Sequence, residues 1–235
     1  MKFYKTLRPF KAISFDLDDT LYDNQAIIVK AEADFLVYLH ETHPQLKALD
    51  NRKWDLYKKV IIKENPALKH DVTEWRREVL KRVMTVYGIA PVNAIKYTEI
   101  ALQKFITLRS QLTVPEKSLA LLAALAKHYP VIAITNGNVD TKQIQLDDKF
   151  EFILKAGNGS NCKPDIDLFK QAALRLEIEV SDILHVGDHL ISDVYGAQNN
   201  NAQAVWFNPM NTSLHNAKLL PTIEVSDLNN LLKLI

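Results

Sequence analysis

Ala12-Ile13-Ser14-Phe15-Asp16-Leu17-Asp18-Asp19-Thr20-Leu21 is the stretch from which the rest of the chain is read. A short, mostly apolar run stops abruptly at a cluster of carboxylates. Ala12 to Phe15 lacks helical spacing and reads as a buried strand. The acids sit where that strand ends, and in open α/β sheets ligands bind beyond the carboxyl ends of the strands. Asp16 and Asp18 are two apart, so in extended chain both side chains leave on the same side. Like charges that close repel each other and resist desolvation. The pair invites a divalent cation, a proton-transfer role, or both. Alone, the cluster also reads as a solvated acidic turn, with Asp19 or Thr20 capping a following helix.

Outward from this stretch the chain changes character. From Tyr22 to about Leu112 the pattern is helical. Ala31, Phe35, Tyr38 and Leu39 recur at helical spacing, as do Trp54, Tyr57, Lys58 and Ile61, then Trp75, Val79, Arg82 and Val83. Pro44, Pro66 and Pro91 punctuate the region. From Thr113 strands and helices alternate. Glu116 to His128, Pro164 to Leu176 and Ser192 to Gln198 read as helices. Pro130–Ile134, Phe152–Leu154, Ile183–Val186 and Ala204–Phe207 read as strands. Such alternation predicts an α/β fold, a Rossmann-like parallel sheet with helices on both faces. The expected domains are a core from residues 1–21 and 113–235 and an inserted α-helical cap from 22–112.

Composition narrows the function classes. Of 235 residues, 47% are hydrophobic, enough for a sizeable core. There are 29 basic and 28 acidic residues, a balance that gives no broad pull toward nucleic acid or membrane. One cysteine, Cys162, excludes an intrachain disulfide and fits a reducing compartment. The first residues, Met1-Lys2-Phe3-Tyr4-Lys5, place charge where a signal peptide needs an apolar core. No uncharged apolar run approaches the roughly 20 residues of a membrane span. A cytoplasmic monomer or weak homodimer, acting on a small metabolite, is the expectation.

The strand ends carry chemistry. The first ends in Asp16 and Asp18, the second in Thr135 and Asn136, and the fourth in Asp188, with Asp193 five residues on. Lys163 lies in the loop after the third. In a parallel sheet these ends share one edge. Singly, Thr135 also reads as a turn residue, Lys163 as a solvated loop lysine and Asp193 as a helix-start acid. Together they suit phosphoryl transfer. A carboxylate can attack phosphorus, and a cation held by carboxylates and phosphate removes the repulsion between the two anions. A lysine opposes developing charge, and a second acid can protonate the leaving oxygen and then activate water.

Asp16-Leu17-Asp18-Asp19-Thr20-Leu21, Thr135-Asn136-Gly137, Lys163-Pro164 and Gly187-Asp188-His189-Leu190-Ile191-Ser192-Asp193 resemble, in order, the four motifs of the haloacid dehalogenase-like (HAD) phosphatases. The resemblance implies the HAD fold, with Asp16 as nucleophile and Asp18 as general acid/base. It implies that Thr135, Asn136 and Lys163 bind phosphate. It implies Mg²⁺, with Mn²⁺ acceptable, held by Asp16, the Asp18 carbonyl oxygen and Asp188, and Asp193 supporting Lys163 or a water around the metal. The helical insert resembles a type-one cap.

The opening Phe3-Tyr4, the segments Phe15–Asn24, His70–Arg76 and Arg109–Gln111, and Ile183–Asp188 also resemble a bacterial family of riboflavin-pathway phosphatases. That resemblance implies 5-amino-6-(5-phospho-D-ribitylamino)uracil and flavin mononucleotide as substrates. Cap residues would then set specificity, with Tyr22, Trp75 and Arg76 as candidates; Trp75 also reads as helix-face core and Arg76 as solvated. His185, inside a strand, reads as a satisfied structural histidine, and Cys162 has no base paired with it. The other readings are a broad-specificity phosphatase of sugar phosphates or nucleotides, a phosphomutase, a dehalogenase, and a module phosphorylated without turnover. A dehalogenase does not need the acid at Asp18.

Overall fold

Strand period writes two faces onto one sheet. The computed structural model describes residues 1–235. It contains strands β1 (Lys2–Phe3), β2 (Ala12–Phe15), β3 (Val131–Thr135), β4 (Ile153–Lys155), β5 (Ile183–Gly187), β6 (Gln203–Phe207) and β7 (Ile223–Val225). They form one seven-stranded sheet in the order β1-β7-β6-β5-β2-β3-β4. All neighbours run parallel except the edge pair β1 and β7. β2 lies at the centre, with Ile13 opposite Val131 on one side and Leu184 on the other. Both faces are covered, so its four residues are all buried.

Alternate residues go to opposite cores. Ile13, Phe15, Val131, Ala133, Leu184, Val186 and Val205 pack with helix α5 (Glu116–Leu125) on one face. Ile132, Ile134, Ile183, Ala204 and Trp206 pack with helix α6 (Asp167–Leu176) on the other. A third apolar cluster is drawn wholly from residues 31–108, in helices α1 (Gln25–Thr42), α2 (Asn51–Glu64), α3 (Val72–Val86) and α4 (Pro91–Arg109) and their connections. α4 packs against α1 and α3. Asp50 caps α2 by accepting from Lys53 N, and Asp71 caps α3 by accepting from Thr73 N and Glu74 N. No helix is long and apolar enough to cross a membrane.

Some element limits differ from those read in sequence. α6 begins at Asp167, because Asp165 N bonds Cys162 O at 3.0 Å and makes residues 163–164 a turn. The helix expected from Ser192 begins at Leu190, where the His189 side chain caps Ile191 N and Ser192 N. It runs as a π-helical turn to Tyr195 before α7 (Gly196–Asn199). α5 stops at Leu125. β1 and β7 have no counterpart in the sequence reading.

Candidate active site

β2, β3 and β5 are parallel neighbours, so their carboxyl ends deliver Asp16, Thr135 and Asp188 to one place. Lys163 joins them from the loop after β4. Its Nζ is buried and donates to Ile134 O at 2.6 Å and to Asp193 Oδ1 at 2.7 Å, and it lies 3.0 Å from Asp16 Oδ1. Burial works against the ammonium, but Asp16 and Asp193 outweigh it and hold the Lys163 pKa above its ordinary value. Burial also pushes Asp193 up; Lys163 and His185 overcome it and hold this carboxyl well below the usual range. Asp193 Oδ2 accepts from His189 N at 2.9 Å, so both of its oxygens have protein partners. A Cβ on Gly187 would fall 2.3 Å from Asp193 Cγ, which is why this strand end is glycine.

His185 lies beneath this cluster. Its Nδ1 is 2.8 Å from Ser14 Oγ and its Nε2 is 3.2 Å from Asp193 Oδ1. Burial, then Lys163, pushes its pKa down to about 4. The ring is therefore neutral, with Nε2–H donating to Asp193 and Nδ1 accepting from Ser14. It is a satisfied buried histidine.

Asp16, Asp188 and Asp193 each place an oxygen within 4.8 Å of the others. Asp16 Oδ1 is buried and makes no hydrogen bond; its approach to Lys163 is an ion-pair contact only. Burial drives the pKa of both Asp16 and Asp188 up to about 7. Two buried carboxylates that resist ionising, one with an orphaned oxygen, fit a divalent cation of the hard, oxygen-seeking kind. Asp188 Oδ1 accepts from Thr20 Oγ1 at 3.2 Å.

Thr135 Oγ1 accepts from Gly137 N at 3.0 Å, shaping the turn after β3. The Asn136 side chain is fully engaged with the Lys163 backbone, accepting Lys163 N at 2.8 Å and donating to Lys163 O at 2.9 Å. It ties the turn after β3 to the loop after β4 and fixes the backbone of the lysine.

Asp18 is held from the helical region. Arg109, buried at the end of α4, donates from Nη2 to Asp18 Oδ1 and Oδ2 at 2.8 and 3.0 Å and to Asn24 Oδ1 at 3.1 Å, and from Nη1 to Asn138 Oδ1 at 2.8 Å. Tyr22 OH donates to Asp18 Oδ1 at 2.7 Å. Burial first, then Asp18, raises the Tyr22 pKa far above normal. A Cβ on Gly137 would fall 2.3 Å from Asp18 Oδ2. Arg109 lies in one of the segments that carry the riboflavin-pathway resemblance, but its sequence neighbours point to no role for it. Its partner lies 91 residues away, a distance no local spacing encodes.

A cavity of about 290 Å³ opens from Asp18 and Arg109 up to the helices, where Trp75 and Arg76 line it. Tyr22 is not among its walls; it lines an open groove of about 610 Å³ with Ser110 and Gln143. Arg76 is not solvated: its guanidinium ion-pairs Glu32 and lies 3.3 Å from the centroid of Phe105. Trp75 is half-buried, its Nε1 donating to Lys58 O at 3.0 Å.

Comparison with known proteins agrees with this architecture. A family model described as haloacid dehalogenase-like hydrolase matches residues 10–201. The 5-amino-6-(5-phospho-D-ribitylamino)uracil phosphatase YigB of Escherichia coli (strain K12) is 37% identical over the whole of both chains. A glyceraldehyde 3-phosphate phosphatase of Pyrococcus furiosus is 29% identical over 86% of this chain and 82% of its own. Among solved structures, a protein described as a 2-haloacid dehalogenase from Pseudomonas syringae pv. Tomato DC3000 superposes with a TM-score of 0.90 at 32% identity, covering 95% of this chain and 97% of its own.

Proposed function

The chain belongs to the haloacid dehalogenase-like hydrolases, and from that membership we propose that it is a Mg²⁺-dependent phosphomonoesterase working through an aspartyl-phosphate on Asp16. Its proposed substrates are 5-amino-6-(5-phospho-D-ribitylamino)uracil and, second, flavin mononucleotide. The observation that carries this reading is Lys163, one buried ammonium held between Asp16 at 3.0 Å and Asp193 at 2.7 Å, with Asp188 in the same cluster.

Each residue has a task. Asp16 attacks phosphorus, its Oδ1 ion-paired with Lys163 at 3.0 Å. Lys163 neutralises charge on the transferred group. Thr135 and main-chain N–H groups of the turn that follows it hold phosphate oxygens. Asn136 enters through the backbone of Lys163. Asp16, the Asp18 carbonyl oxygen and Asp188 would hold Mg²⁺, which supplies the positive charge that lets two anions meet. Asp193 has both oxygens engaged by the protein and acts as the support of Lys163. Asp18, aimed by Arg109 and Tyr22, gives its proton to the leaving oxygen and later takes one from water.

Residues 1–21 and 113–235 form the catalytic core in this reading, and 22–112 form the cap that excludes water and contacts the leaving group. The identity to YigB extends over that cap as well as the core, which supports its substrate here. The cavity lies near the small end of the roughly 300–1,000 Å³ range of ligand sites.

A second reading, a phosphatase of small sugar phosphates, draws on the Pyrococcus relative. Dehalogenation draws on the Pseudomonas structure, but Asp18 and its dedicated Arg109 are machinery that reaction does not need. The test is acid-quench mass spectrometry of Asp18→Ala with substrate and Mg²⁺. A phosphate on Asp16, or complete loss of turnover, supports the assignment; hydrolysis at the normal rate contradicts it.

A further inference from the structure

The cavity's cap wall carries charge that phosphoryl transfer does not use. Glu32 of α1, Lys58 of α2 and Arg76 of α3 all line it, together with Asp18 and Arg109 below. Arg76 donates to Glu32 through both terminal nitrogens, at 3.3 and 2.6 Å, while its guanidinium lies against the ring of Phe105. A fork donating to one carboxylate and stacked on an aromatic face fixes that carboxylate in one orientation. Lys58 Nζ stands 3.9 Å from Glu32 Oε1, at the limit of ion pairing, and is held at 2.9 Å by Asp55. A fixed acceptor and a cationic donor therefore lie side by side. The Trp75 indole N–H is already bonded to Lys58 O, so its ring is what it presents to the cavity.

We infer that Glu32 and Lys58 read the edge of a planar, imide-bearing ring at the far end of the substrate. The ring N–H donates to Glu32, the adjacent ring carbonyl accepts from Lys58 Nζ, and the ring face packs on Trp75. Arg76 is a positioning residue that holds Glu32. The inference rests on the phosphatase reading and adds the chemistry that would make the site prefer ring-bearing polyol phosphates to bare sugar phosphates. A polyol offers rotatable hydroxyls. It has neither a flat face for Trp75 nor a rigid N–H beside a C=O, and only the rigid pair matches a fixed acceptor–donor pair without losing conformational freedom.

Calorimetric titration tests this with two phosphate-free probes, 5-amino-6-(D-ribitylamino)uracil and ribitol, on the wild type, Glu32→Gln and Lys58→Met. The wild type is expected to bind the ring compound at least about tenfold more tightly than ribitol. Each variant is expected to lose about tenfold in ring affinity, the scale of one hydrogen bond to a charged group. Lys58→Met leaves the Arg76–Glu32 pair in place and decides the matter should Glu32→Gln unfold. Equal binding of ring compound and ribitol, or ring affinity unchanged in Lys58→Met, overturns the inference. Ester hydrolysis measured in parallel separates the two readings. Ring binding that depends on Lys58 in a protein that hydrolyses no ester leaves this inference standing and removes the phosphatase. Hydrolysis without ring preference removes this inference alone.

Discussion

Arg109 is the residue on which two regions of the chain meet. It leaves the last turn of α4 and grips Asp18, Asn24 and Asn138 together. Removing it strands a carboxylate that is four-fifths buried. Arg109→Met is expected to cost about 3 kcal/mol, the scale for breaking one side of a buried pair. It is also expected to lower kcat about 10²-fold, because Asp18 displaced by an ångström would miss the proton transfer proposed for it. Urea unfolding and steady-state kinetics on one ester check both, and wild-type kcat would show that Asp18 needs no guide. The two site glycines should separate activity from stability. The Cβ of Gly137→Ala would press on the terminal oxygen of Asp18, so kcat should fall with little change in unfolding midpoint. The Cβ of Gly187→Ala would meet Asp193 Cγ and Cβ, at 2.3 and 2.5 Å, which cannot swing aside. That substitution should lower the midpoint as well. Equal stability of the two variants would show that this strand end yields.

At the scale of elements, Asp71 shows how one cap serves two purposes. Its Oδ1 accepts from Thr73 N and Glu74 N at the start of α3, and its Oδ2 accepts from Asn158 N in the loop after β4. Gly157 allows this approach, with φ at +97° and an added Cβ 2.4 Å from Asp71 Oδ2. Asp71→Ala should cost about 1 kcal/mol through the lost cap, read by urea unfolding. It should also raise KM, since α3 carries Trp75 and Arg76 into the cavity. An unchanged KM would mean that α3 is seated by its apolar face alone.

The same scale explains what was legible. β2, β3 and β5 are mostly apolar runs that end in polar clusters, so the sheet centre and Asp16, Thr135 and Asp188 could be placed from order alone. β1 and β7 have two and three residues, too few for a period to emerge. Helical spacing put Trp75 on an apolar helix face but did not show what that face meets. Arg76 reads as solvated until α1 brings Glu32, 44 residues away, against it. The Arg109–Asp18 pair was hidden for the same reason: only the packing of α4 makes it.

For the whole molecule, the apolar clusters predict how it opens. The cluster of residues 31–108 shares no member with the two flanking the sheet. Leu80 is fully buried in it, and Leu80→Ala should cost about 2–5 kcal/mol. Hydrogen exchange should then speed across 25–109 while β2, β3 and β5 keep their protection. Uniform loss of protection would mean that helices and sheet unfold as one unit.

Cation-assisted hydrolysis at Asp16 is the step on which the proposed function stands. The most direct test is phosphate release from 5-amino-6-(5-phospho-D-ribitylamino)uracil by the wild type with Mg²⁺, the wild type with chelator, and Asp16→Asn with Mg²⁺. Release is expected in the first and none in the other two, with Asp16→Asn unfolding as cooperatively as the wild type. Release that persists in chelator or in Asp16→Asn would contradict the proposed function.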